Sequence, residues 1–116
     1  ETSIKLGGAI ITQRQVMSVL AQALPQLAFN DIQVQINRQA NGVRMCLVIA
    51  QDKLPSGAEA AIEQALHNEA QASALLRLPG VLGLQVQRLA RSRFETTAAG
   101  KTPFFIELEA TPDSPG

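Results

Sequence analysis

Apolar residues recur with helical spacing in two stretches of the chain. In the first stretch, Thr12 is a suitable N-cap and Pro25 prevents the helix from continuing, so we predict an amphipathic helix over residues 13–24. Arg14 and the glutamines fall largely on its polar face, and its apolar face consists of Val16, Val19, Leu20 and Ala23.

The second helical stretch follows Pro55-Ser56-Gly57 and ends at Pro79-Gly80. Its apolar pattern weakens after His67, so we expect a break or kink near residues 68–71. We interpret His67, the only histidine, as a solvated helix position rather than a catalytic residue. The apolar stripe consists of Ala58, Ala61, Ile62, Ala65, Leu66, Ala72, Leu75 and Leu76.

Alternating apolar and polar residues predict half-buried strands over residues 32–37, 82–87 and 104–109, with Gln33 on the solvated face of the first. Asn41-Gly42 predicts a hairpin from that strand into residues 43–50. Because residues 43–50 are almost continuously apolar, we expect them to be covered on both faces or central in the sheet. We interpret Cys46 within them as a buried structural cysteine.

Residues 4–11 contain two short apolar runs around Gly7-Gly8, which indicates a bent strand or a tight strand–turn–strand. The resulting β-α-β-β-α-β-β order predicts an α+β domain, in which two main helices pack on a small, largely antiparallel sheet containing a β-hairpin. We assign residues 1–110 to this domain and residues 111–116 to a disordered tail. The predicted core consists of Val16, Leu20, Ile32, Val34, Ile36, Met45, Leu47, Ile49, Ile62, Leu66, Leu84 and Val86.

The charge balance argues against several classes of partner. The 116 residues include 10 Lys plus Arg and 10 Asp plus Glu, so the formal net charge is zero. Nucleic acid and an anionic membrane surface both call for a cationic excess, and aromatic residues at 3% are too few for a base-stacking platform. No apolar run approaches the roughly 18–20 residues that span a bilayer.

The single cysteine rules out an internal disulfide and fits a reducing compartment, so we expect a cytoplasmic protein. One histidine and one cysteine cannot build a structural zinc site, and we predict no metal site in this chain. The chain begins at Glu1 without an initiator methionine, so we expect it to be a piece of a longer protein.

The residues offer little catalytic chemistry when taken one by one. Gly100-Lys101-Thr102 resembles the end of a phosphate-binding loop, but Glu95 stands where that motif needs a glycine. What remains is Lys101 on a flexible, glycine-containing loop ahead of a strand, with three arginines upstream in a loop-like segment: Arg88, Arg91 and Arg93. Such a lysine can neutralise developing phosphoryl or carboxylate charge in a neighbouring cleft, and the alternative is a solvated surface lysine.

Three stretches follow one another in an informative order. Residues 4–16 run from an apolar strand through Gly8 into a helix, residues 32–49 form the hairpin, and residues 84–101 end in Thr96-Thr97-Ala98-Ala99-Gly100-Lys101. Together they resemble the C-terminal subdomain of the adenylate-forming superfamily of acyl- and aryl-CoA ligases, most of all the phenylacetate–CoA ligase branch. The last stretch looks like the family's Thr-x-x-Gly-Lys motif, and the resemblance spans roughly residues 3–109.

The resemblance implies a two-step reaction. A carboxylic acid, with an aryl acid favoured, attacks ATP to give an acyl-adenylate and pyrophosphate. The small domain then swings about its hinge, and the thiol of CoA or of a carrier protein displaces AMP. In this scheme Lys101 is the adenylation lysine, Gly100 belongs to its loop, and Gly7, Gly8 and Ala9 line the pantetheine path.

The resemblance also implies that ATP, its Mg²⁺ and the acid bind mainly in an N-terminal adenylation domain that joins this chain near Glu1. We therefore expect the chain alone to be inactive. The alternative hypothesis is a non-catalytic α+β binding or regulatory module, or a degenerate family member, because the family often has Arg where this chain has Gly7. The identity of the acid, the choice between CoA and a carrier-protein thiol, and the oligomeric state stay open.

Overall fold

The computed structural model describes residues 2–6, 9–68 and 81–108. These residues form an α+β fold, and both predicted helices and the predicted hairpin are confirmed. Three short 3₁₀ turns lie at Phe29–Asp31, Gln51–Lys53 and Arg91–Arg93. The main elements are β1 (Ser3–Leu6), β2 (Ala9–Thr12), α1 (Gln13–Ala23), β3 (Ile32–Gln39), β4 (Gly42–Ala50), α2 (Ala58–Asn68), β5 (Val81–Leu89) and β6 (Phe105–Leu108).

The N-terminal block is the tight pair of strands that the sequence allowed, not one bent strand. β1 and β2 pair antiparallel, with Ser3 opposite Thr12 and Leu6 opposite Ala9. Gly7 and Gly8, which connect them, lie outside the described residues.

Thr12 begins α1 as an N-cap, as the sequence predicts. Its Oγ1 accepts a hydrogen bond from the backbone N–H of Gln15 at 3.1 Å, and the Gln15 side-chain oxygen accepts one from the N–H of Thr12 at 2.8 Å. This reciprocal capping box satisfies two backbone donors at the start of the helix. The helix ends at Ala23, before Pro25.

The second sheet has four strands in the order β5-β4-β3-β6. β3 and β4 pair antiparallel as the predicted hairpin, whereas β5 runs parallel to β4 and β6 runs parallel to β3. The sheet is therefore mixed, because the chain between β4 and β5 passes through α2 and returns in the same direction, as a parallel pair requires.

The main core lies between the two helices and one face of this sheet. Every predicted core residue whose side chain is described is buried there, except Val86, which packs against the core while partly exposed. The side chains of Leu66 and Leu84 lie outside those described. The buried residues of the sheet in this core are Ile32, Val34, Ile36, Val43, Met45, Leu47 and Ile49.

The opposite face of β4 is covered only over its second half. Val48 and Ala50 are fully buried there against Phe94, whereas Arg44 is exposed. Cys46 is half-buried rather than buried, and its thiol donates to Gln87 Oε1 at 3.4 Å. Partial burial raises the pKa of the Cys46 thiol, which favours the protonated, unreactive form.

Several predictions from the sequence lie outside the described residues. These are the continuation of the second helical stretch beyond Asn68, with the expected break near residues 68–71, and the tail over residues 111–116. Within the part of the chain that the structure describes, no helix is both long enough and apolar enough to cross a membrane.

Ile36 provides a test of the helix-facing core, because its side chain is fully buried at the centre of β3. We expect Ile36→Ala to lower the free energy of unfolding by about 2–5 kcal/mol through lost apolar burial and the cavity it leaves. Chemical denaturation measures this change. Ile10→Ala is the matched control, because Ile10 is 59% exposed and its loss should cost less than about 1 kcal/mol. Equal losses in the two variants would contradict this assignment of the core.

Candidate functional site

Lys101 lies on the connection between β5 and β6. This connection crosses the face of the four-stranded sheet that the helices leave open, where Phe94 packs on Val48 and Ala50. We call residues 95–103 the lysine loop. Every residue from 95 to 102 is exposed, so the loop stands on the surface while the residues on either side of it are buried.

The tip of the lysine loop is a hydrogen-bonded turn, although the sequence predicts a flexible segment. The N–H of Thr97 donates to the carbonyl of Lys101 at 2.7 Å, and the N–H of Gly100 donates to the carbonyl of Thr97 at 2.8 Å. The N–H of Lys101 in turn donates to Oγ1 of Thr97 at 3.2 Å. Thr97 therefore binds both the carbonyl and the N–H of Lys101, the first through its backbone and the second through its side chain.

Gly100 is needed in this turn for its backbone conformation. Its φ is +82°, in the region that side chains with a Cβ rarely adopt. No heavy atom lies within 4 Å of where a Cβ would stand, so a side chain would find space but not a relaxed backbone. Gly100 thus shapes the turn that presents Lys101, which fits its predicted membership of the lysine loop.

The Lys101 side chain is exposed and projects from a fixed backbone. Among the described residues it forms no ion pair and no side-chain hydrogen bond. An ammonium group without an internal partner keeps its full capacity to bind an anion that approaches from outside the chain.

The base of the lysine loop is fastened by Gln33, whose side chain is fully buried. The Gln33 amide nitrogen donates to the carbonyl oxygens of Glu95 at 2.8 Å and Pro103 at 3.1 Å. Its carbonyl oxygen accepts from the N–H of Glu95 at 3.0 Å and from the amide of Gln35 at 3.0 Å. The expectation that Gln33 lies on a solvated face is therefore wrong, because the two ends of the lysine loop cover this end of β3.

Two phenylalanines hold the ends of the connection on opposite faces of the sheet. Phe94 packs with Val48 and Ala50 on the open face, and Phe104 belongs to the core under the helices. The carbonyl of Phe104 accepts from the N–H of Val34 at 2.7 Å, which starts the pairing of β6 with β3. Phe105 packs its ring edge-on against Phe104 with centroids 4.9 Å apart.

The arginines upstream of Lys101 have structural partners. Arg88 belongs to β5 rather than to a loop, and its Nη2 donates to the carbonyl of Pro55 at 2.8 Å and to Glu59 at 3.2 Å. Arg91 forms an ion pair with the buried Asp31 and donates to the carbonyl of Asn30 at 3.2 Å. Both guanidinium groups are thus paired with carboxylates of the same fold, whereas Arg93 is exposed on its 3₁₀ turn.

The start of the chain lies beside the lysine loop. Thr2 accepts a hydrogen bond on its carbonyl from the N–H of Gln13 at 2.9 Å. Thr2, Gln13 and Thr102 line one depression of about 220 Å³, whose remaining wall is formed by Phe29, Asn30, Ile32, Phe94 and Phe104. The residue that follows Glu1 and the residue that follows Lys101 thus share one end of the molecule.

Of the predicted thiol-path residues, Ala9 is described, and it lies at the other end of the first pair of strands. Gly7 and Gly8 lie outside the described residues, and Ala9 opens β2, where its backbone pairs with Leu6. Three residue steps along the strand, about 10 Å, separate Ala9 from Thr12 at the end near Gln13. The described site residues therefore form two groups: Gly100 with Lys101, and Ala9 at the far end of the hairpin.

Comparison with known proteins does not assign a family. No protein-family model matches the chain, and no curated protein sequence matches it. The roles that the sequence predicts for Lys101 and Gly100 therefore stay predictions, which rest on the order of the motifs. The sequence did not predict the supporting roles of Gln33 and Asp31, because the partners Glu95, Pro103 and Arg91 lie 60 or more residues away.

The ionisation of Asp31 makes the stability of the fold depend on pH. Burial opposes its ionisation, but the N–H of Ala28 and the Arg91 guanidinium outweigh that effect, so the pKa of Asp31 lies below its ordinary value. A pKa that is lower in the folded than in the unfolded chain stabilises the fold above about pH 4. That contribution is lost as the pH falls through the folded-state pKa.

We expect Asp31→Asn to be less stable than the wild type at pH 7, with the difference shrinking as the pH falls from about 4 towards 2. Urea denaturation at a series of pH values measures it. Asp52→Asn is the control, because Asp52 also contacts Arg91, at 3.5 Å, but is exposed. A stability difference for Asp31→Asn that stayed constant down to pH 2 would contradict the ionised state of Asp31.

Proposed function

We propose that this chain is the mobile C-terminal lobe of an AMP-forming acid–thiol ligase, and that Lys101 is its adenylation lysine. The substrates of the whole enzyme would be ATP, a carboxylic acid with an aryl acid favoured, and the thiol of CoA or of a carrier protein. The chain's main partner would be its own N-terminal adenylation domain.

The observation that carries this proposal is the environment of Lys101. Its backbone is closed into a turn by Thr97 and Gly100, and its ammonium has no partner within the described residues. A solvated surface lysine needs no such support, whereas a cation that must meet a developing charge gains from a backbone placed in advance. The sequence motif and the local geometry thus favour the same residue.

The position of the chain's start supports the proposed swing. Thr2 and Thr102 line the same depression, so an upstream domain joined near Glu1 would begin next to the lysine loop. Ala9 lies about 10 Å along β2 from that end. In the proposed scheme, rotation of the lobe about a hinge near Glu1 would replace the lysine loop at the shared active site with the end of β2 at which Ala9 lies.

The described residues fit a one-sided contribution to the ATP site. Among them, no group of three or more His, Cys, Asp or Glu side chains is placed to hold a metal ion. As the resemblance implies, Mg²⁺ and the nucleotide would be held mainly by the N-terminal domain, and ATP would supply the AMP that activates the acid. This chain's contribution is the Lys101 ammonium.

Lys101 would act mainly in the transition state. Its ammonium would bridge a carboxylate oxygen of the acid and an α-phosphate oxygen while negative charge builds up between them. A cation placed in a cleft from which the closed lobe excludes water stabilises that charge more strongly than it would in bulk solvent. The interaction would therefore raise the rate of adenylation more than the affinity for either substrate.

The test uses the full-length parent protein and ATP–pyrophosphate exchange with a panel of aromatic and fatty acids. We expect Lys101→Ala to reduce the exchange rate by a factor on the order of 10²–10³, as for the loss of one preorganised donor. Lys5→Ala is the matched control, since Lys5 is an exposed lysine on β1, outside the lysine loop, and its loss should leave exchange unchanged.

Three results would contradict the proposal. The first is undiminished exchange in Lys101→Ala, which would leave Lys101 as a surface lysine. The second is the absence of exchange with every acid tested in the wild-type parent, as expected of a binding module or a degenerate family member. The third is a parent gene with no upstream adenylation domain.

A further inference from the structure

Gln33 has a polar side chain at a fully buried position of the sheet, where apolar side chains are usual. It lies on β3 directly opposite the fully buried Val48 of β4, and none of its own surface is exposed. A buried carboxamide is costly unless each of its donors and acceptors is paired. The cost at this position calls for an explanation in terms of what Gln33 binds.

The carboxamide of Gln33 uses its full hydrogen-bonding capacity. A glutamine side chain offers two N–H donors and a carbonyl oxygen with two lone pairs. Here the donors go to the carbonyls of Glu95 and Pro103, and the oxygen accepts from the N–H of Glu95 and from Gln35. The two carbonyl acceptors on one side and two N–H donors on the other also fix which end of the amide is oxygen.

These bonds join the two ends of the lysine loop at one atom. Glu95 and Pro103 are the first and last residues of the loop, and both of their carbonyls accept from the same Gln33 nitrogen. Neither residue belongs to a strand, so the backbone at the base of the loop obtains from Gln33 partners that a sheet would otherwise supply. Gln33 therefore closes the loop from inside the sheet.

The apolar contacts of Phe94 and Phe104 cannot replace this function. Apolar burial is not directional, so two buried rings hold the ends of the connection near the sheet but leave the orientation of residues 95–103 open. Hydrogen bonds require both a distance and an angle, and Gln33 applies them at both ends of the loop.

We propose that Gln33 is a positioning residue for Lys101: its carboxamide sets the base of the lysine loop and so determines where the ammonium is presented. The proposal rests on the proposed function for its catalytic consequence, but its structural part does not. Gln33 lies inside the sheet and does not contact the substrate. It acts through the loop, and Gln35 supports it by holding its carbonyl oxygen.

The structural part is tested on this chain with Gln33→Met, which keeps a side chain of similar size and removes all of its hydrogen bonds. We expect the backbone amides of Glu95, Thr97, Gly100 and Lys101 to exchange with deuterium about tenfold faster or more than in the wild type, measured by NMR. Gln85→Met is the matched control, because Gln85 is an exposed glutamine on β5.

The amides of Met45 and Leu47 in β4 serve as an internal reference for global stability. If the loop amides accelerate only as much as these core amides, Gln33 stabilises the fold as a whole and the proposal is overturned. Gln35→Met is the second variant, for use if Gln33→Met does not fold. It leaves Gln33 in place but removes one of its bonds, so we expect a smaller acceleration confined to the same loop amides.

The catalytic consequence is tested in the full-length parent by ATP–pyrophosphate exchange. We expect Gln33→Met to lower kcat about tenfold while KM for ATP and for the acid stays within about twofold, since a misplaced Lys101 weakens the transition state more than ground-state binding. A rise in KM with unchanged kcat would overturn the positioning role.

The two proposals fail in distinguishable ways. If Lys101→Ala leaves exchange intact, the proposed function fails, whereas the local acceleration of loop exchange in Gln33→Met still stands. If Lys101→Ala abolishes exchange and Gln33→Met behaves as the wild type in both measurements, Gln33 is not the positioning residue and the proposed function stands.

Discussion

The structure of the open face of the sheet depends on one constraint: the buried side chain of Gln33 must be hydrogen-bonded by the two ends of the lysine loop. A carboxamide near the end of a central strand, with none of its surface exposed, is tolerated only when all of its donors and acceptors are paired. Its partners are backbone groups of Glu95 and Pro103, which themselves have no strand to pair with. The loop and Gln33 therefore depend on each other. The loop shields Gln33 from water, and Gln33 supplies hydrogen-bond partners to loop backbone groups that no strand pairs with.

The two faces of the four-stranded sheet consequently make different contributions. The face under α1 and α2 carries most of the buried apolar side chains, so it contributes most of the apolar stabilisation of the domain. The other face is covered only where the connection from β5 to β6 passes over Val48 and Ala50, and there it combines one buried ring with one directional polar side chain. Because Phe104 reaches the helix-facing core, the same connection ties the two faces together.

The sequence predicts the elements of this fold better than the contacts between their faces. Helical spacing, the Thr12 cap and Asn41-Gly42 are local signals, and the helices and hairpin follow from them. Period two assigns Gln33 to the polar side of β3, but it cannot show that a segment about 60 residues later covers that side. A signal did exist: hairpin register places Gln33 opposite Val48, in the apolar half of β4 that needs a second cover. The exposed Lys101 and the need for Gly100 were within reach of local reasoning, whereas the support beneath them was not.

The distribution of charge explains why positioning, rather than attraction, has to serve Lys101. The chain has no formal net charge, so it has no net positive charge that would attract an anion over a long range. Three arginines form ion pairs with carboxylates of the same fold, and their planar guanidinium groups suit such fixed pairs: Arg38, Arg88 and Arg91. A lysine on a long flexible stem suits a different task, and in the proposed function its small ammonium would adjust over a short range to an anion held by another domain. Under that proposal the adjustment is productive only if the stem starts from a defined point, which Thr97, Gly100 and Gln33 would together define.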